Sequence, residues 1–264
     1  MKKTQKELAF LRDLYIEDAW TNRFAELVDK HFKLDEADNL LYLNAGTGGH
    51  AFALSEKNGE KTDVFAACEN EDILSIARDK AAAVSSKVDF STIRFEDDAF
   101  DAVLADATFV RPAELADFID DAVRVARHGA DVAFFLPAAG SYGEVFSVIW
   151  EVLFNEDMTD DNAAVERLIA AIPTITRVEE IAERAGLVNI KTETAVEIFE
   201  FENGAEFVAS PLVEDFLMPI WLETLSEEDL ARITTKIAQL IDSEEGDLTF
   251  RFTVKATLVT GEKA

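Results

Sequence analysis

The chain has 264 residues, 48% of them hydrophobic and 20 of them phenylalanine, which supports a substantial core and argues against disorder. It carries 53 acidic residues against 25 basic ones, a net charge of −28. Binding a polyanion needs Lys and Arg to neutralise phosphates, so nucleic acid is not an expected partner. The single cysteine, Cys68, excludes an internal disulfide, and no Cys/His spacing suggests zinc or another metal. No run approaches the ~18 apolar residues of a membrane helix. The start, Met1-Lys-Lys-Thr-Gln-Lys-Glu7, lacks the apolar stretch of a signal peptide, and its Lys2, Lys3 and Lys6 read as a solvated helix end. A cytoplasmic protein with a small-molecule partner and no membrane or nucleic-acid contact is the expectation; oligomeric state is not legible.

In chain order, residues 7–33 place Phe10, Leu11, Leu14 and Tyr15, then Phe24, Leu27, Val28 and Phe32 at helical spacing, predicting two helices. Most of these side chains read as core. Tyr15 and Trp20 are the two that a lid over a ligand would use. The stretch Asn39-Leu-Leu-Tyr-Leu-Asn-Ala-Gly-Thr-Gly-Gly-His50 then predicts a strand buried on both faces, a glycine turn and a helix start. Such a junction gathers free N–H groups and the positive end of a helix dipole at the carboxyl edge of a sheet, where nucleotides bind; a plain tight turn is the alternative. Thr62-Asp-Val-Phe-Ala-Ala-Cys68 is a second strand, ending at Glu69. A carboxylate there, about 20 residues beyond the glycines, suits the two hydroxyls of a ribose. Alternatively it complements the next helix N-terminus, with Glu71 and Asp72.

The segment Ala81 to Lys87 is short, so a third strand is expected to be vestigial or absent. Ala102-Val-Leu-Ala105 is another strand, with Asp106 at its carboxyl end. A helix with Leu115, Phe118, Ile119, Ala122, Val123 and Ala126 on one face is expected to close at Gly129. Residues 131–136 form a strand, and Pro137-Ala-Ala-Gly-Ser-Tyr142 a turn before another helix. The alternation predicts a parallel, doubly wound α/β sheet. Farther on, Thr176-Arg-Val-Glu179 and Ser226-Glu-Glu-Asp229 read as capping boxes. Residues 188–201 and 248–259 are long strand candidates that can pair antiparallel, and residues 211–242 are helical. The organisation expected is N-terminal helices or a lid over 1–38, a nucleotide-binding core over 39–155, and cap helices with the last two strands over 156–264, all in one domain.

These features, in this order, resemble the class I S-adenosylmethionine-dependent methyltransferase family. The likeness covers roughly residues 39–155, with the late strands in support. Tyr42-Leu-Asn-Ala-Gly-Thr-Gly48 is similar to the family's acidic-Leu-Gly-x-Gly-x-Gly motif, and Ile93-Arg-Phe-Glu-Asp-Asp-Ala-Phe-Asp101 is similar to its Leu-Pro-Phe-x-Asp-x-x-Phe-Asp. The resemblance implies a Rossmann-like, mostly parallel seven-stranded sheet with an antiparallel final strand. It also implies S-adenosyl-L-methionine as cofactor, held around Asn44, Ala45, Gly46, Gly48, Glu69, Asp89, Phe90 and Asp106. In this likeness Glu69 takes the ribose, Asp89 and the Phe90 N–H take the adenine, and Asp106 lies close to the transferable methyl. Two departures stand out: Tyr42 replaces the family's acid, and Asn44 its first glycine. Asn44 tolerates left-handed backbone, so the turn is expected to survive.

Three functions from different classes follow. The first is S-adenosylmethionine-dependent methyl transfer to a small molecule. In-line transfer from a sulfonium needs alignment and exclusion of water rather than a fixed catalytic motif, so no catalytic residue is named. His50 is a conceivable base, but packing at a helix start is its ordinary role. Tyr142 and the aromatic-rich cap (Phe201, Phe207, Phe216, Trp221) are candidates to line an acceptor pocket, against an ordinary core role. The second function is a catalytically inactive methyltransferase-like binding or scaffold protein, motivated by Tyr42 and Asn44. The third is an NAD-dependent oxidoreductase, because Gly46-Thr-Gly-Gly-His-Ala51 also fits G-x-G-x-x-A with Glu69 downstream.

Overall fold

A computed structural model describes residues 3–34, 37–243 and 249–264 of the chain. Lys2 of the basic cluster and Leu248 of the last strand candidate lie outside the described residues. The chain divides into two compact units. One comprises Met1–Leu136, Thr174–Ala195 and Ala256–Ala264, and the other Pro137–Pro173 and Val196–Lys255. Among the described residues, no helix is long and apolar enough to cross a membrane.

The N-terminus is one unbroken helical run rather than two helices. Helix α1 (Gln5–Leu11) starts at a capping box in which Thr4 and Glu7 satisfy each other's backbone N–H groups. It continues into a ten-residue π-helical stretch, Arg12–Thr21, and then α2 (Asn22–His31). Strand β1 (Asn39–Leu43) follows, buried from Leu40 onward. The chain then alternates through α3 (Gly49–Asn58), β2 (Asp63–Ala67), α4 (Glu71–Val84), β3 (Asp89–Ser91), β4 (Phe100–Asp106), α5 (Leu115–Val125) and β5 (Ala126–Ala138). The third strand is present as three residues paired with β2. Strands β3, β2, β1, β4 and β5 pair in parallel with one another in that order, as the apolar runs require.

Helices α6 (Gly143–Asn155), α7 (Thr159–Ala171) and α8 (Ile175–Arg184) precede the long strand β6 (Leu187–Phe201). Then come α9 (Gly204–Ala209), a second π-helical stretch (Leu212–Leu217), α10 (Met218–Trp221), α11 (Glu227–Ser243) and the last strand, β7 (Phe250–Lys263). Among the described residues the sheet has seven strands in the order β3-β2-β1-β4-β5-β7-β6. The last strands run antiparallel: the Ala264 N–H bonds to the Gly186 carbonyl, joining the end of β7 to the start of β6. This is the Rossmann-like methyltransferase architecture.

Two local expectations are corrected. Helix α5 stops at Val125, and Gly129 lies inside β5 at φ 78°. Pairing with β4 begins at Ala126 opposite Phe100 and resumes at Asp131 opposite Ala102, so the extra residues form a bulge that glycine accommodates. Helix α8 is capped by Thr174, whose hydroxyl accepts the Arg177 N–H at 3.2 Å, and Thr176 falls inside the helix. Glu179 instead accepts from the Thr192 hydroxyl. The Ser226–Asp229 cap does form, the Asp229 N–H donating to Ser226 Oγ at 3.1 Å.

In the first unit, alternate residues of the central strands divide the core. Leu41, Leu43, Val103, Ala105, Val132 and Phe134 pack with α5 and α8. On the other face Tyr42 meets Phe135 and His50, and Phe135 stacks with Phe24 of α2. The second unit has its own aromatic core, in which Tyr142 packs with Phe146, Trp221 and Phe252.

Candidate functional site

The turn after β1 is built as its residues require. Asn44 sits at φ 54°, in the left-handed region, and its side-chain amide donates to the Asp106 carbonyl at 3.1 Å. That bond ties the carboxyl ends of β1 and β4 together. Gly46 (φ 56°) and Gly48 (φ 91°) turn the chain into α3, where Gly48 occupies the cap position. A side chain at Gly48 is also excluded by space: its Cβ would lie 2.5 Å from Cζ of Phe90.

Three features expected from the sequence to share a site do converge here. The Arg12 guanidinium lies 2.6 Å from Glu69 and 3.9 Å from Asp106. It also rests on the glycine turn, 3.2 Å from where a Gly46 Cβ would stand, and over the Phe109 ring at 5.1 Å. Glu69, Asp106 and Gly46 therefore face one point, and Arg12 fills it. Burial opposes the charge on Arg12, but Glu69, Asp106 and Glu17 outweigh it and hold the guanidinium charged. Asp106 is buried, and burial pushes its carboxyl up to about 6 against the pull of Arg12 and of two bonds from Thr108.

Five residues on, Glu17 plugs the start of α3. One oxygen accepts the His50 backbone N–H at 3.1 Å, and the other lies 2.9 Å from the Thr47 hydroxyl. The Glu17 carboxylate occupies the space a Cβ on Gly49 would need. An anion at the N-terminus of a helix is favourably placed. Asp13 lies 2.8 Å from the same Thr47 hydroxyl, and Lys80 of α4 pairs with Asp13 at 2.5 Å and Glu17 at 3.6 Å. What remains between Arg12, Glu17, Thr21, Gly46 and Asp106 is a cavity of about 10 Å³. That is room for about one water.

The other candidates are placed differently. Asp89 is exposed on β3. Phe90 is buried beside Gly48, its ring meeting Phe52 edge-on, and its carbonyl accepts two bonds from Arg78. Ala45 lines the cavity. Trp20 is fully buried against Phe24 and Phe109, a core residue, whereas Tyr15 is half exposed. Tyr142 belongs to the aromatic core of the second unit. His50 packs at its helix start, with Nδ1 3.2 Å from the Tyr42 hydroxyl. The tyrosine standing where the family has an acid thus turns into the core and pairs with a histidine.

Arg12, Asp13, Glu17 and Thr47 were not legible as site residues. On an α-helical wheel, positions five apart fall on different faces, whereas a π-helix, bonded from i to i+5, stacks them. The Asn22 N–H bonds to the Glu17 carbonyl in that register. No periodicity in the sequence announces it.

Residues 41–134 match the family model of the methyltransferase domain. No curated protein matches the chain. Among solved structures, the YcgJ protein of Bacillus subtilis shares 12% identity and a TM-score of 0.58, over 92% of this chain and 98% of that one. A phosphoethanolamine N-methyltransferase 2 of Haemonchus contortus, in complex with phosphomonomethylethanolamine and S-adenosylhomocysteine, shares 13% identity with a TM-score of 0.56. That match covers 98% of this chain and 58% of the other. Geranyl diphosphate C-methyltransferase of Streptomyces coelicolor A3(2) shares 12% identity and a TM-score of 0.51, over 92% and 79%. In fold and in its matched domain, the chain resembles the class I S-adenosylmethionine-dependent methyltransferases.

Proposed function

We propose that this protein transfers a methyl group from S-adenosylmethionine to a small-molecule acceptor. The observation that carries the reading is the convergence of the glycine turn, Glu69 and Asp106 on one point, marked by the single guanidinium that touches all three. The chemistry of these groups fits a nucleoside carrying a cation. Glu69 accepts from ribose hydroxyls. The N–H groups at the start of α3 and the Thr47 hydroxyl receive a carboxylate. Ionised Asp106 favours positive charge beside it, and Asn44 keeps the two strand ends in register. The cofactor, when bound, supplies a methyl carbon activated by the positive sulfur; the chain aligns the partners and excludes water.

The net charge of −28 disfavours a polyanionic acceptor, and we place the protein among small-molecule enzymes of a reducing cytoplasm. Its lone Cys68 is buried, and that burial pushes the thiol up to about 12, so it is an inert core group.

Calorimetric titration with S-adenosylmethionine and S-adenosylhomocysteine, with NAD as control, tests the reading. Binding of the first two alone is expected. Silence toward all three, in the wild-type chain and in Arg12→Ala, overturns it in favour of an inactive homologue. Because Glu69 also pairs with Arg12, its role is measured on the Arg12→Ala background. There Glu69→Ala weakens binding by about tenfold, the loss of charge-assisted bonds to a ligand. An unchanged affinity removes Glu69 from the site.

A further inference from the structure

We infer that the π-helical stretch Arg12–Thr21 is an intramolecular competitor for the cofactor, a plug that must leave the cleft before the site can fill. The inference rests on the methyl-transfer reading and concerns the regulation of that site. Glu69, Asp106, the Thr47 hydroxyl and the His50 N–H, all assigned to the ligand above, already meet groups of this stretch. Arg12 places a cation against Glu69 and Asp106, and Glu17 places a carboxylate on the His50 N–H and near the Thr47 hydroxyl. The pair reproduces, with one cation and one anion, the charge pattern of a zwitterionic ligand. Between Arg12, Glu17, Gly46 and Asp106 only about 10 Å³ is left, so at that point plug and nucleoside cannot share the space. The roomier cavity of about 590 Å³ lies on the other side of Glu17, along Asp18, Asn22 and Ala53.

The plug is built to move. Its contacts to Glu69, Asp106, Thr47 and the His50 N–H are polar, so an incoming zwitterion offers each of those groups an equivalent partner. Its outer face carries Leu14 and Tyr15, exposed by 64% and 50%, next to exposed Phe10 of α1. Its inner anchors, Ile16 and Trp20, are fully buried, Trp20 against Phe24 of α2 and Phe109. Return of the π register to α would set Arg12 and Glu17 roughly 140° apart, so that they could no longer reach the cleft together, and the change passes through broken i to i+5 bonds. Lys80 clamps the plug from outside through Asp13.

A site open only a fraction of the time binds with an affinity reduced by that fraction. Removing the plug's grip therefore tightens binding: S-adenosylhomocysteine is expected to bind Arg12→Ala roughly tenfold or more tightly than wild type. Lys80→Ala, a partly exposed substitution outside the cleft, is expected to give a smaller gain of the same sign. It serves if Arg12→Ala does not fold, as judged by its melting curve. Hydrogen exchange supplies a second readout: residues 12–21 should exchange faster in the ligand-bound wild type. A lid that simply closes over its ligand would become more protected. If wild type binds while both variants bind equally or more weakly, and residues 12–21 gain protection, the plug is overturned and the methyl-transfer reading stands. If no form binds, that reading itself fails, and the plug with it.

Discussion

His50 is buried at the head of α3 with Nδ1 on Tyr42, and among the described residues its Nε2 has no hydrogen-bond partner. Burial depresses its pKa from 6.5 to about 4, so the folded state keeps it neutral while the unfolded chain protonates it across that window. The unfolded state then binds more protons, and stability rises with pH from about 4 to 6.5. Nothing is lost above that window, and by its lower end the penalty reaches ~3 kcal/mol. Asp106 acts oppositely: raised from 3.8 to about 6, it makes the folded state the stronger proton binder between those values. His50→Gln, which retains an acceptor for Tyr42, should therefore flatten the acid side of the stability curve in urea titrations. An unaltered slope would mean the ring already titrates normally in the fold. At this scale the sequence suggested Glu69 and Asp106 because an acid at a strand's carboxyl end has a known use. It was silent on Arg12, because a lone arginine on a predicted amphipathic helix has no local feature that sends it inward.

Among elements, the packing of α9 on α11 depends on one absent side chain. A Cβ on Gly204 would overlap the Ala238 carbonyl oxygen and come within 2.9 Å of the Ala238 Cα. Its N–H also donates to Asp242 at 2.6 Å. Backbone cannot yield as a side-chain end does, so Gly204→Ala should cost at least ~2 kcal/mol in denaturant unfolding. Gly140→Ala is the control. It has open space around it and φ 97°, so only the conformational cost of ~1–2 kcal/mol applies. Equal losses would show that the α9–α11 packing adapts. The helices themselves were readable from spacing and caps. The end of α5 was not, because pairing of residues 126–130 with β4 overrides the helical pattern that ran up to Gly129.

For the whole molecule, self-repulsion is the dominant long-range term. The ion pairs of its surface, such as Lys87–Glu60 and Arg94–Asp121, are exposed and worth ~0–1 kcal/mol each, too little to offset a net charge of −28. Raising salt from 0.01 to 1 M shortens the screening length from about 30 to about 3 Å, and the melting temperature should climb across that range. A fall would show that specific surface pairs outweigh the net repulsion. By itself the sequence determined the order of strands and helices, the glycine turn after β1 and the acids at the ends of β2 and β4. Those depend on local periodicity and backbone freedom, which neighbouring residues report directly. Only the tertiary structure decided what fills the cleft. Arg12 and Glu17 join segments far apart in the chain through a π-helical register that local propensity does not encode, and burial then makes each unpaired polar group there too costly to leave open.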